Sequence, residues 1–146
     1  MWKPFVETTS DEWKKRLSVN ILGLMYFTHE VLPNMIENSY GRIINIGSVA
    51  GVYSNANMVD YSMTKGAVSS FTKALAKEVA DKGITVNNVV PGSVRNEGAN
   101  RETELCYMGR CGELEEYAYL ICFLASDKAA YISGQDYQID GCRKKN

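Results

Sequence analysis

The chain has one histidine, three prolines and no excess of either charge, and each shortage closes off a class of function. His29 joins no catalytic triad and no ligand set, so it reads as a structural residue of a helix. The four cysteines are Cys106, Cys111, Cys122 and Cys142. None has the Cys or His neighbours that would complete a zinc set, so no metal site is expected and the thiols read as free, in a reducing compartment. A formal net charge of −1 gives no electrostatic case for nucleic acid or a membrane surface. No apolar run reaches the roughly 20 residues that span a bilayer. The opening stretch MWKPFVETTSDEW lacks the basic-then-apolar form of a signal peptide, so the expected location is cytoplasmic. Repeats, low-complexity stretches and proline-rich linkers are absent. The twelve glycines form neither Gly-x-x-x-Gly-x-Gly nor Gly-x-Gly-x-x-Gly after a strand, so the glycine-rich turn that cradles a dinucleotide pyrophosphate is not encoded.

What is present is an alternation of helices and strands within a single, partial domain, residues 1–146, long enough to bury a core. Thr9 and Glu12 form a capping box. The spacing of Trp13, Leu17, Ile21, Leu24 and Phe27 predicts a helix to about Glu37, with Pro33 able to bend it. Arg42 to Gly47 reads as a strand buried on both faces. A second helix is predicted from about Asn57 to Asp81, its core face marked by Val68, Phe71, Leu75 and Val79, and Lys82-Gly83 stops it. Ile84 to Val90 is a strand ended by Pro91-Gly92. Residues from about Asn96 to Arg110 read as irregular or partly helical. A third helix runs from near Glu113 through Leu124, and Asp136 to Ile139 is a short last strand. The order α-β-α-β-α-β predicts an α/β doubly wound parallel sheet with right-handed crossovers, of which three strands and three main helices are visible.

The chemistry is concentrated in GSVAGVYSNANMVDYSMTK. Tyr61 and Lys65 are four apart on a helix and share a face. A free phenol, with a pKa near ~10, is a poor proton donor or acceptor at neutral pH. A nearby ammonium favours its ionised form. Ser48, thirteen residues before Tyr61, offers a hydroxyl to hold a substrate oxygen. Together the three can move a proton to or from a carbonyl or alcohol without a metal. A Tyr and a Lys four apart carry little weight alone. The surroundings add Asn20 in SVNILG, then GITVNNVVPGSV, MGRCGELEE, FLAS and YISGQDYQIDG.

In this order and spacing the segments resemble the short-chain dehydrogenase/reductase superfamily, nearest to its 3-oxoacyl-carrier-protein reductases. The resemblance runs from about Phe5 to Gly141 and covers only the C-terminal half of such an enzyme: the glycine-rich turn and the Asn-Asn-Ala-Gly segment of the Rossmann-type nucleotide-binding half are missing. One reading is that Met1 is an internal methionine of a longer reading frame. The resemblance implies an oxidoreductase that passes hydride between NAD or NADP and a small-molecule carbonyl or secondary alcohol. In it Tyr61 is the acid–base, Lys65 also binds the nicotinamide ribose, Ser48 holds the substrate oxygen and Asn20 positions a water leading to the lysine. It places Pro91, Gly92 and Val94 at the nicotinamide. Asn96 stands in that loop where the family has threonine, and Cys142 where relatives have a second glycine. Residues 95–109 would form part of a substrate lid. The long helices would pack in a homo-oligomer. The residues that separate NAD from NADP lie in the missing segment. The alternatives are a truncated non-catalytic remnant or interaction module, or half of a split enzyme whose first half docks on the exposed edge of the first strand.

Overall fold

The structure, a computed structural model, describes residues 2–95 and 105–144. Helix α1 (Ser10–Leu17) opens on the predicted capping box. The Thr9 hydroxyl accepts from the Glu12 amide, and the Glu12 carboxylate accepts from the Thr9 amide at 2.7 Å. Lys3 lies 3.0 Å from the same carboxylate and, with the Thr9 amide, holds the Glu12 carboxyl down at about 2. Helix α2 (Gly23–Glu37) continues the rod through Pro33. Between the two, Ser18–Leu22 form a π turn, with the Gly23 amide donating to the Ser18 carbonyl. The single helix predicted from the apolar spacing is therefore widened around Asn20. Such turns insert a residue without ending the helix, so the apolar period conceals them.

Strand β1 (Gly41–Ile46), helix α3 (Val59–Val79), strand β2 (Ile84–Pro91), helix α4 (Leu114–Ala125) and strand β3 (Asp136–Ile139) follow. The strands form one parallel sheet in the order β1-β2-β3, with Gly41 beside Ile84 and Asn88 beside Asp136. Gly83 ends the 3-10 turn Ala80–Lys82 that follows α3, in the left-handed region at φ 71°, and a Cβ there would lie 2.3 Å from the Ser39 carbonyl oxygen. Only glycine fits that turn.

Two apolar clusters cover the two faces of the sheet. Ile43, Ile84 and Val86 pack against Leu75, Ala76 and Val79 of α3, with Leu32 and Met35 of α2 at the margin. Val89, Ile44 and Ile139 pack against Leu120, Ile121 and Leu124 of α4. Helices thus lie on both faces, the doubly wound arrangement. The strands step in one direction while α3 and α4 lie on opposite faces, so the β1-α3-β2 and β2-α4-β3 crossovers have opposite hands. The expectation of right-handed crossovers fails for one of them. The rule describes a helix packed straight back on its sheet, whereas here Gly92 first bonds to Ile139 at the end of β3 and Arg95 to Gly112 before α4 begins.

β1 also departs from expectation. Gly41, Ile43 and Asn45 are buried, but the alternate positions are only partly covered and Ile46 is 46% exposed. α4 reaches Ile44 and leaves Ile46 open. The interior of the sheet is partly polar. Asn45 donates to the Thr72 hydroxyl at 2.8 Å, Asn87 to the Ile132 carbonyl at 2.7 Å and Asn88 to Asp136 at 2.7 Å. Each bond offsets the cost of burying an amide. Burial alone would raise the Asp136 carboxyl, but hydrogen bonds from Lys73, Ser69 and Asn88 together hold it below its usual value. Among the described residues no helix is long and apolar enough to cross a membrane.

Candidate active site

β1 ends at Ile46, and the Gly47 amide extends the ladder by donating to the Val89 carbonyl at 2.7 Å. Ser48 follows in extended conformation and caps the 3-10 turn Val49–Gly51, its hydroxyl oxygen accepting from the Ala50 amide at 3.1 Å. The hydroxyl proton remains to be donated to a substrate. This turn lies against α3 through two glycines. A Cβ on Gly51 would lie 2.5 Å from the Lys65 carbonyl carbon and 2.7 Å from the Gly66 nitrogen, and one on Gly66 would lie 3.5 Å from the Gly51 oxygen. The backbone-to-backbone contact sets Ser48 beside the first turns of α3, where Tyr61 and Lys65 stand.

Those turns are tied to α1 by polar contacts. The Asp60 carboxylate accepts from the Tyr61 amide at 2.9 Å and from Arg16 at 2.8 Å. Asn20, on the π turn, donates to the Thr64 hydroxyl at 3.0 Å, and Thr64 donates to the Tyr61 carbonyl at 2.8 Å. The Lys65 ammonium donates to the Ile46 carbonyl, the last of β1, at 2.8 Å. Burial pushes the Lys65 ammonium below its usual pKa. The Tyr61 ring is flanked by two cations, Lys65 and Arg16, each 5.9 Å from its centroid, and by the Trp2 ring at 5.2 Å.

Tyr61 and Trp2 border two clefts. One, of about 360 Å³, is lined by Ser48, Tyr61, Gly92 and Ser93, with Asn55 and Arg143 on its wall. The other, of about 400 Å³, is lined by Lys15, Arg16, Asn20 and Tyr61. Ser48, Tyr61 and Gly92 thus share one opening at the C-terminal ends of β1 and β2, the end of a parallel sheet where ligands bind. Asn20 opens to the other cleft and reaches the Tyr61 turn through Thr64. Pro91 closes β2 beside Ile139. The Gly92 amide donates to the Ile139 carbonyl at 2.8 Å, and a Cβ on Gly92 would lie 2.8 Å from the Asp140 Cα, so packing on β3 already demands glycine there. Val94 bridges to Gly112 and lies outside both clefts. Asn96 lies outside the described residues.

Residues 1–142 match the enoyl-(acyl carrier protein) reductase family. The chain belongs to the short-chain dehydrogenase/reductase superfamily. Within it, the chain is 38% identical over 144 residues to the 3-oxoacyl-[acyl-carrier-protein] reductase FabG of Buchnera aphidicola, covering 93% of this chain and 59% of that protein. It is 36% identical over 148 residues to the 2-dehydro-3-deoxy-L-rhamnonate dehydrogenase (NAD(+)) of a Sphingomonas species, covering 96% and 59%. The fold superimposes on a gluconate 5-dehydrogenase from Burkholderia cenocepacia, in complex with NADP and tartrate, with a TM-score of 0.91 and 28% identity, covering 97% of this chain and 59% of that one. The chain therefore spans about six-tenths of the length of these superfamily relatives.

Two features of this superfamily member escaped the sequence reading. Residues 105–108 pair antiparallel with residues 141–144: the Tyr107 amide donates to the Cys142 carbonyl at 3.0 Å and the Lys144 amide to the Leu105 carbonyl at 2.9 Å. That pairing brings Arg143, to which the sequence assigns no role, onto the wall of the Ser48–Tyr61 cleft. Trp2 on the same wall likewise carries no signal in the sequence.

Proposed function

We propose that this chain carries the reaction half of an oxidoreductase that interconverts a carbonyl and a secondary alcohol with NAD or NADP. The observation that supports it most is the shared cleft of Ser48 and Tyr61, with the Lys65 ammonium hydrogen-bonded at the end of β1, one helical turn from Tyr61. In reduction, the substrate oxygen lies between the Ser48 and Tyr61 hydroxyls. A nicotinamide, when bound, supplies the hydride to the carbonyl carbon. Tyr61 donates its proton to the oxygen as charge develops there, and Ser48 keeps that oxygen in line. Lys65 and Arg16, each 5.9 Å from the Tyr61 ring centroid, put positive charge near the ring that becomes negative. In oxidation the same groups act in reverse, with Tyr61 taking the alcohol proton. A positioned acid of this kind contributes about 10²–10⁴-fold to rate.

The residues present suit the nicotinamide end of a dinucleotide. Lys65 has spent one of its three donors on Ile46 and keeps two for a ribose. Gly92 and Ser93 line the same cleft as Ser48, with Pro91 and Val94 flanking them in sequence. Asn20 steadies the Tyr61 turn through Thr64 and opens to the neighbouring cleft, where a water leading towards Lys65 has room. The open edge of β1 supports a second reading, in which a separate polypeptide docks there and supplies the remaining nucleotide contacts. A homo-oligomer through the α1–α2 rod and α3 is consistent with Tyr26 and Phe27, exposed on α2 at 67% and 79%.

The test is NADH or NADPH oxidation with a panel of 3-oxoacyl thioesters, oxo acids and neutral ketones. Turnover that Tyr61→Phe abolishes supports the proposal. No binding of either nucleotide at millimolar concentration would remove it and leave an interaction module.

A further inference from the structure

The described arginines differ in one respect. Arg16 is paired with Asp60, Arg42 with Asp127, Arg95 with Glu113 and Arg110 with Glu116, the last through two hydrogen bonds of 2.6 and 2.7 Å. Arg143 has no carboxylate partner among the described residues. Its guanidinium makes one hydrogen bond, to the neutral Asn55 side-chain oxygen at 3.4 Å. The carboxylate closest in sequence, Asp140, accepts from the backbone amides of Cys142 and Arg143, at 3.0 and 3.3 Å, and makes no ion pair with the guanidinium. Arg143 is also the only charged group among the described residues that line the Ser48–Tyr61 cleft.

Its position is built. The Arg143 backbone is fixed by the Asp140 carboxylate, which accepts from its amide, and by its antiparallel bridge to Cys106. Asn55 then holds one prong of the guanidinium fork. Among the described residues the other donors have no acceptor of opposite charge. A guanidinium is weakly hydrated, always charged and shaped to take two oxygens of a carboxylate or phosphate at once. Placed on the wall of a cleft whose other described lining residues are neutral, it selects for negative charge in whatever enters.

We propose that the substrate of this cleft carries an anionic group, a carboxylate or a phosphate, and that Arg143 binds that group while Ser48 and Tyr61 hold the carbonyl or alcohol oxygen. The second clause rests on the oxidoreductase reading; the anion subsite does not. Arg143 thereby sets specificity and takes no part in proton transfer.

The test is a binding titration of the chain, by calorimetry or ligand-observed NMR, with two matched pairs of probes: acetoacetate against methyl acetoacetate, and dihydroxyacetone phosphate against dihydroxyacetone. At least one anion should bind about tenfold or more tightly than its neutral partner, the size expected of a charge-assisted bidentate contact. The preferred anion then identifies the group. Arg143→Gln should remove that preference while leaving the neutral probes unchanged, and Arg143→Lys, which keeps the charge without the fork, should restore part of it. Equal binding of anion and neutral partner, no measurable binding of either anion, or an Arg143→Gln effect on charged and neutral probes alike would each overturn the proposal. Tyr61→Phe separates the two readings, because it should leave the anion preference intact while removing any nicotinamide-dependent turnover. A preference without turnover would retain the subsite and discard the oxidoreductase, and turnover without a preference would do the opposite.

Discussion

The first turns of α3 and its last turns belong to one helix and are held by different forces. From Asp60 to Gly66 the helix is fixed by polar and backbone contacts: Arg16 on Asp60, Asn20 on Thr64, Lys65 on Ile46 and the Gly51 turn on Gly66. From Leu75 to Val79 it is fixed by apolar burial against Ile43, Ile84 and Val86. The apolar end sets how stable the helix is. The polar end sets where Tyr61 stands, because hydrogen bonds are directional and burial is not. The separation lets site side chains change without loss of the fold.

The sharpest break of that comparison is a pair of variants. Leu75→Ala should cost about 2–5 kcal/mol of stability in denaturant unfolding, as for other buried leucines. Tyr61→Phe should leave stability within about 0.5 kcal/mol, while turnover in the nicotinamide assay falls about 10²–10⁴-fold. Gly51→Ala should blur the two ends. Its new Cβ meets backbone at Lys65 rather than a side chain that can swing away. An overpacking cost of about 1–3 kcal/mol is expected, together with weakened substrate binding, since the turn that carries Ser48 must lift from α3. Retained binding with lost stability would mean that the turn and the helix move as one.

Lys65→Met tests the electrostatics. The folded Lys65 pKa lies below its usual 10.5, so the unfolded chain binds more protons between the two values. Lys65 therefore adds stability as pH rises through that window, and the variant should lack this gain in unfolding curves measured across the alkaline range. The smallest effect belongs to the far side of the sheet. Asp136 titrates below its usual 3.8, so its contribution is present above that value and lost as pH falls through the folded pKa. Asp136→Asn should flatten the acid limb of the stability profile and leave neutral-pH turnover unchanged.

Much of α3 was legible in the sequence because its two ends use signals of two kinds. Val68, Leu75 and Val79 recur at helical spacing, and Tyr61 and Lys65 stand four apart behind a serine that ends a strand. The capping box and the Gly83 stop are local rules and came out as expected. What stayed hidden depends on partners far along the chain. The π turn at Asn20 leaves the apolar period on either side intact. The adjacent Asn87 and Asn88 look wrong for the middle of a sheet until Ile132 and Asp136 supply their partners. The open side of β1 could not be told from a covered one, since an apolar strand reads the same with or without a neighbour. Arg143 gained its place only through the pairing of 105–108 with 141–144, two short segments without strand periodicity.

That pairing has a consequence for the order in which the molecule is made. Ser48, Tyr61 and Lys65 leave the ribosome ahead of β3 and the residues after it, and β1, α3 and β2 can dock while synthesis continues. The wall carrying Arg143 cannot form until the residues after β3 emerge and fold back on 105–108. A growing chain therefore holds the hydroxyls of its cleft well before the cation that screens what enters it.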